Sequence, residues 1–303
     1  MSFLSESKVR KIIRDIILNE IARSDGSLAG FLNVLNSYKD HTWIFFDTET
    51  TGLKPWARNS GKEGGPQLTQ IAAIAVKPDW NPDGNGANIL GSFNKKISFT
   101  EYTRQLMDPS SIERQEWNTQ DQKRGKHALG DPRKLLSLTS YGVSRGKFDP
   151  EQDVINEFLG FISDYSNPLL VAQNASFDMR FLNVRSGGRM PKLPVLDTLT
   201  LIQQYLFPVL TAAASSSNPD PEALRLIGLL KNRERLSASL GNLSKAFDIE
   251  ASGWHDALED VKMLMSVYVR TIEILENQMS SDIDATKQIG AALSAAHKKE
   301  RSR

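Results

Sequence analysis

Apolar positions along this chain fall into two kinds of run: short continuous ones of strand length, and longer ones that recur every three or four residues. Trp43-Ile44-Phe45-Phe46 is of the first kind. Too short for a helix and rich in β-formers, it reads as a buried strand that ends in Asp47-Thr48-Glu49 and a Thr50-Thr51-Gly52 turn. Leu68 to Val76 and Gly91 to Ser98 read as further strands, with a turn at Asn81-Pro82-Asp83-Gly84 between them. The segment Leu169 to Leu182 reads as a buried strand, a polar loop and then a helix, and Val195 to Asp197 as a short strand leading into a helix over Thr198 to Leu206. Pro150 to Tyr165 and Leu236 to Phe247 read as helices.

Helical spacing is clearest near the C-terminal end, where Ala257, Leu258, Val261, Leu264, Met265, Tyr268, Ile272 and Leu275 form one apolar stripe. Asp256 and Glu259 have capping-box spacing, which starts that helix at about Ala257. At the other end, residues 5 to 23 place Val9, Ile12, Ile13, Ile16, Ile17 and Ile21 on one face. Ser24-Asp25-Gly26-Ser27 breaks this helix, and a second one carrying Leu28, Phe31, Leu32 and Leu35 leads to the first strand. These helices read as padding for the domain, as a docking arm for a partner or, with slight support from the basic Ile-rich face, as a membrane-surface element. Thr211 to Pro221 is low in complexity and reads as a flexible connector, and the tail after Asn277 is polar and basic at its end.

Composition narrows the classes modestly. A formal net charge of +1 over 303 residues is not that of a protein that coats nucleic acid, so attraction to phosphate must come from local patches or bound metal. With no cysteine there is no disulfide, thiolate metal site or cysteine nucleophile, which fits a cytoplasmic protein. No apolar run reaches the roughly 20 residues that span a bilayer, and no signal-peptide core is seen. No membrane partner is expected.

The acids carry the chemistry. On a strand, residues i and i+2 point to one face, so Asp47 and Glu49 project side by side from the strand end. Two carboxylates that close repel unless a cation lies between them or one stays protonated. Asp178 lies on the apolar side of its helix, one turn before Phe181 and Leu182, and Asp260 borders the stripe of the C-terminal helix. Inward-facing acids are rarely tolerated unpaired, and a shared metal site explains both; oxygen-only ligands favour Mg²⁺ or Mn²⁺ over zinc. His255 falls in the loop just ahead of the cap.

Asp47 and Glu49 in a D-x-E strand, Asp178 after Asn174-Ala175-Ser176-Phe177, and His255 ahead of Asp260 together resemble the DEDDh-type 3′→5′ exonucleases of the ribonuclease H-like fold. The resemblance covers roughly residues 41 to 276. It implies an α/β fold: a mixed five-stranded sheet flanked by helices, the second strand antiparallel to its neighbours. Residues 1–40 would then be an N-terminal helical extension, 41–276 the exonuclease domain, and 277–303 a polar tail. Residues 101–149 exceed such a core and read as an insertion, in which Lys123, Arg124, Lys126, Arg133, Lys134, Arg145 and Lys147 are opposed by Asp131 alone between 123 and 147. This run suits a channel for a strand backbone, with Trp117, Tyr141 and Phe148 as stacking surfaces; a solvated surface loop is the alternative.

The activity so implied is hydrolysis of a DNA strand from its 3′ end to nucleoside 5′-monophosphates by two divalent ions, Mg²⁺ or Mn²⁺. Asp47, Glu49, Asp178 and Asp260 would hold the ions and His255 would serve as general base. Thr48 and Thr50 match positions that meet the terminal sugar, Leu53 the aliphatic wedge between the last two bases, and Asn174 and Phe177 the nucleotide pocket. Gln173 departs from the pattern, since many relatives carry His there. The expected partners are a single-stranded or frayed 3′ end and a polymerase or other replication protein docked on the N-terminal helices. An RNA exonuclease of the same family and a non-catalytic nucleic-acid-binding module are the alternatives.

Overall fold

The computed structural model describes residues 28–52, 55, 66–77, 89–100, 103–104, 148–250 and 256–281. Helix 5–23, the turn at 81–84, the basic run 123–147, Trp117 and Tyr141 of the insertion, and the tail after residue 281 lie outside the described residues, as do Leu53 and His255.

Helix α1 (Leu28–Ser37) precedes strand β1 (Thr42–Thr50), β2 (Leu68–Val76) and β3 (Ile89–Lys96). Helix α2 (Glu151–Ser163), β4 (Pro168–Ala172), α3 (Ala175–Arg185) and β5 (Val195–Asp197) follow. The strands form one sheet in the order β3-β2-β1-β4-β5. β2 pairs antiparallel with β1 and β3, whereas β1–β4 and β4–β5 are parallel. This is a mixed five-stranded sheet with the second strand reversed, the arrangement the sequence resemblance implies. Observed strand limits agree with the expected strands to within two residues, because each is bounded by polar or turn-forming positions.

Each sheet face is covered by a different set of helices. Ile44 and Phe46 of β1 pack on Val154, Ile155 and Phe158 of α2 and on Phe181 and Leu182 of α3. Trp43 and Phe45 face the other way, toward α1 and the long C-terminal helix α8 (Ala257–Ser281). All nine residues of β2 are buried, as a strand covered on both faces requires. Burying each large apolar side chain here contributes roughly 1.5–3 kcal/mol. The stripe foreseen on α8 is its sheet-facing side: Ala257, Val261, Leu264, Met265 and Leu275 are buried there, flanked by Leu258, Tyr268 and Ile272.

A helical lobe adjoins the sheet. Helix α4 (Thr198–Leu201) runs without a break through a π-helical turn (Ile202–Leu206) into α5 (Phe207–Ala214). The expected helix end at Leu206 is therefore corrected. Pro208 has no N–H to donate and its ring crowds the carbonyl four residues back, so the preceding turn widens and Phe207 N bonds Ile202 O. The expected connector also shrinks: Thr211 to Ala214 remain helical, and Asp220 caps α6 (Pro221–Leu230) by accepting from Glu222 N at 2.9 Å. A hairpin of β6 (Lys231–Asn232) and β7 (Arg235–Leu236) follows, then α7 (Leu240–Ala246), shorter than the expected helix from Leu236. Ile202, Leu206, Leu226, Leu230, Leu243, Val267 and Ile274 form the core of this lobe, so α8 is buried on a second side. Among the described residues, no helix is long and apolar enough to cross a membrane.

Candidate active site

The sheet ends where β1 outruns β4: their parallel pairing stops at Phe45–Val171, while β1 continues to Thr50. Asp47 and Glu49 share the face of Trp43 and Phe45, the face that α8 covers. Asp260 lies in the first turn of α8, next to buried Val261. Carboxylate oxygens of Asp47, Glu49 and Asp260 come within 4.8 Å of one another.

Asp178 approaches from the opposite face. Thr48 points toward α3, and its amide and hydroxyl both donate to Asp178 Oδ1, at 3.0 and 2.6 Å. The Asp178 carboxylate takes the place of the strand that β4 no longer provides, satisfying a backbone N–H beyond the parallel ladder. Asp178 is 2% exposed. Burial lifts its carboxyl to about 7, against the lowering effect of the two Thr48 bonds, and the Asp197 charge adds to the rise. Asp47 is raised well above the ordinary carboxylate range, first by burial and then by the charges of Asp178, Glu49 and Asp260. No basic side chain among the described residues pairs with Asp47 or Asp178. Crowded carboxylates without a cation bind protons or a metal, and an oxygen-only donor set fits a hard divalent cation.

The first turn of α8 is held by residues whose part the sequence did not reveal. Gln70, the cross-strand neighbour of Glu49, is buried and accepts from Ala257 N at 3.3 Å while donating to Asp256 Oδ1 at 3.2 Å. Its amide also donates to Asn94 Oδ1 at 2.9 Å. Asp256 accepts from Leu258 N at 3.1 Å as the expected cap, and Lys96 Nζ lies 3.4 Å from its other oxygen. Gln70 thus ties the strand of Glu49's neighbour to the helix that carries Asp260. A polar side chain inside the otherwise apolar run Leu68–Val76 was its one signal.

Asn174 is exposed, with φ +58°, and Phe177 is half-buried against Phe181, with the Arg180 guanidinium 5.7 Å from its ring. Asp197 accepts from Asn174 N and Leu199 N, both at 3.0 Å, so one buried carboxylate serves the first residues of α3 and α4. Its pKa is raised by burial, with these backbone donors opposing. Asp before a helix is a capping signal, but its second client was not legible. Gln173 donates to Ala238 O at 2.6 Å and accepts from the Thr198 hydroxyl, bridging β4 to the helical lobe. Thr50 Oγ1 donates to Gly52 O at 2.8 Å, within the turn.

No family model matches the chain. Among curated proteins it is similar to PolC-type DNA polymerase III of Halalkalibacterium halodurans, 36% identical over 132 residues, covering 42% of this chain and 7% of that one. The same polymerase of Bacillus subtilis is 27% identical over 231 residues, covering 74% of this chain and 11% of that one. That of Clostridium perfringens is 26% identical over 262 residues, 84% of this chain and 14% of that one. The chain therefore spans only a small part of these relatives' length. Solved structures that align with it include S. pombe Pop2p in its Mg²⁺- and Mn²⁺-bound form (TM-score 0.43, 13% identity, 80% of this chain and 88% of that one). Another is the nuclease domain of 3′hExo, a DEDDh family member, bound to rAMP (TM-score 0.40, 13% identity, 78% and 94%). In the order of Asp47, Glu49, Asp178 and Asp260 along the chain, the sequence resembles the DEDDh-type 3′→5′ exonucleases.

Proposed function

We propose that this chain is a metal-dependent 3′→5′ exonuclease acting on DNA. The observation that carries the proposal is the meeting of Asp47, Glu49 and Asp260, from a strand and a helix far apart in sequence, with Asp178 buried behind them. Asp47, Glu49, Asp178 and Asp260 would hold two divalent ions, Mg²⁺ or Mn²⁺, which would supply positive charge to the phosphate under attack. Water attacks the terminal phosphorus in line, the bond from phosphorus to the preceding 3′ oxygen breaks, and a nucleoside 5′-monophosphate leaves. His255 takes the proton of the attacking water, the general-base role to which an imidazole is suited near neutral pH. Thr48 and Thr50 meet the terminal sugar, Glu49 the 3′-hydroxyl, Leu53 the last base step, and Asn174 and Phe177 the nucleotide.

Similarity to proteins named as DNA polymerases favours DNA over RNA as the strand. We further propose a replication protein as partner for the helices of residues 1–40, residues 41–276 as the exonuclease domain with its insertion at 101–149, 277–303 as a tail, and a cytoplasmic location. Digestion of 5′-labelled deoxy- and ribo-oligonucleotides with Mg²⁺, Mn²⁺ or EDTA tests the reading. A metal-dependent ladder shortening from the 3′ end, faster on DNA, is expected. Turnover undiminished in EDTA, or release of the labelled 5′ nucleotide first, would overturn it; a faster ribo-oligonucleotide would replace DNA by RNA.

A further inference from the structure

We infer that the β6–β7 hairpin is a contact for the phosphate backbone of the strand leading into the site, a proposal that rests on the nuclease reading above. Lys231, Arg233 and Arg235 are all exposed on this hairpin, against a single acid, Glu234. None of the three forms an ion pair with a described residue, although the basic side chains beside them do. Arg225 pairs with Glu222 at 2.8 Å and Asp248 at 3.2 Å, and Arg270 with Glu273 at 3.1 Å and Glu222 at 3.5 Å. The lobe therefore neutralises its other arginines and leaves this cluster for an outside anion.

The hairpin is also fixed in place relative to the acids. Ser237 N donates to Leu230 O at 2.9 Å across its base, and Leu236 packs on the core of the lobe. The next residue, Ala238, accepts from Gln173 Nε2 at 2.6 Å. Gln173 follows β4 directly, at the end of the sheet where the β1–β4 pairing stops and β1 runs on to Asp47 and Glu49. Arg233 turns the tip with φ +57°, a conformation that a two-residue hairpin loop needs and that asparagine also adopts well. Three cations without a described ion-pair partner, on a short hairpin whose base is tied through Gln173 to the sheet end that carries the acids, match a polyanion whose end lies among those acids. Phosphates of either sugar would serve, since the backbone carries the charge.

The test compares wild type with K231Q/R233N/R235Q, which keeps hairpin geometry and removes the charge. Anisotropy of 5′-fluorescein deoxy- and ribo-oligonucleotides of about 20 nucleotides, longer than one binding site, is measured in Ca²⁺ over a salt series. Affinity should fall at least about tenfold on both, and the slope of log K against log salt should become shallower by about 2, near 0.7 for each lost phosphate contact. Hydrolysis of the p-nitrophenyl ester of thymidine 5′-monophosphate, which has no upstream phosphate, should be unchanged with Mn²⁺. Equal affinity and slope, a change confined to one sugar, or no binding by wild type would each overturn the proposal. Should wild type bind the oligonucleotides but hydrolyse neither them nor the ester, the nuclease reading fails while the binding comparison still decides the hairpin. If the triple variant fails to fold, R235E alone carries the same comparison, with the same direction expected.

Discussion

Two regions of this molecule bury carboxylates, and they treat them oppositely. Glu151, at the start of α2, accepts from Leu68 N at 2.8 Å and is gripped by the guanidinium of Arg185 through Nε, at 2.9 and 3.0 Å, and Nη2. Its charge is matched, its oxygens are bonded, and it joins β2, α2 and α3. At the other region Asp178 is buried and Asp47 half-buried beside further acids, with no described basic group paired to either. The first arrangement is complete in the folded chain alone. The second is complete only with protons or cations, so the fold gives up stability there to keep a charge-binding site.

The largest expected effect is on rate. Asp47→Ala should lower exonuclease turnover by on the order of 10³-fold or more, several kcal/mol at about 1.4 kcal/mol per tenfold, with the fold retained. His255→Ala should cost about 10²–10⁴-fold and remove the rise of rate with pH through the histidine's titration, whereas metal titration midpoints stay near wild type. A His255→Ala enzyme with full rate and the same pH limb would assign the base elsewhere. Glu151→Gln should do the reverse of Asp47→Ala: it leaves the half-buried Arg185 without its counter-charge and should destabilise by about 3 kcal/mol in chemical unfolding, with turnover of the folded fraction kept.

Smaller effects sharpen the contrast. Gln70→Leu strips a partner from Ala257 N and Asp256, and should cost about 1–3 kcal/mol of stability. Because the first turn of α8 then loosens, the Mn²⁺ titration midpoint should also rise, a change that loss of stability alone would not produce in the folded fraction. The weakest signal is proton linkage. Burial raises the Asp178 carboxyl from 3.8 to about 7, so the metal-free fold holds a proton that the unfolded chain releases. The stability this contributes is complete below about pH 4 and is lost as pH rises through about 7. Melting in EDTA should therefore show a decline over that window that Asp178→Asn flattens; a decline of equal size in the variant would place the titration elsewhere.

Much of the sheet was legible in the sequence, because Trp43–Phe46, Leu68–Val76 and Leu169–Ala172 are apolar runs with no helical spacing and are buried on both faces. The α8 stripe was legible for the complementary reason, an unbroken three-and-four spacing from Ala257 to Leu275. Three of the four acids expected together form one cluster, and the fourth lies behind them, because a strand's two-residue period and a helix's first turn fix directions locally. The helical lobe was harder. Thr211–Ala214 looked like a connector by composition, yet alanine favours helix, and Ala212, Ala213 and Ala214 pack on buried neighbours from elsewhere in the chain. Gln70, Gln173 and the second bond of Asp197 were out of reach, since each acts across a gap in sequence that only the tertiary fold closes.

The most direct test of the central claim, that these acids are held together for a divalent cation, is the melting temperature of wild type and Asp47→Ala in EDTA and in Mn²⁺. Removing one of four mutually repelling acids should leave the metal-free variant as stable as wild type or more so. Mn²⁺ should then raise wild type well above the variant, because a cation that binds only the folded site stabilises in proportion to its affinity. The account is contradicted if Asp47→Ala melts lower in EDTA and Mn²⁺ raises both proteins equally.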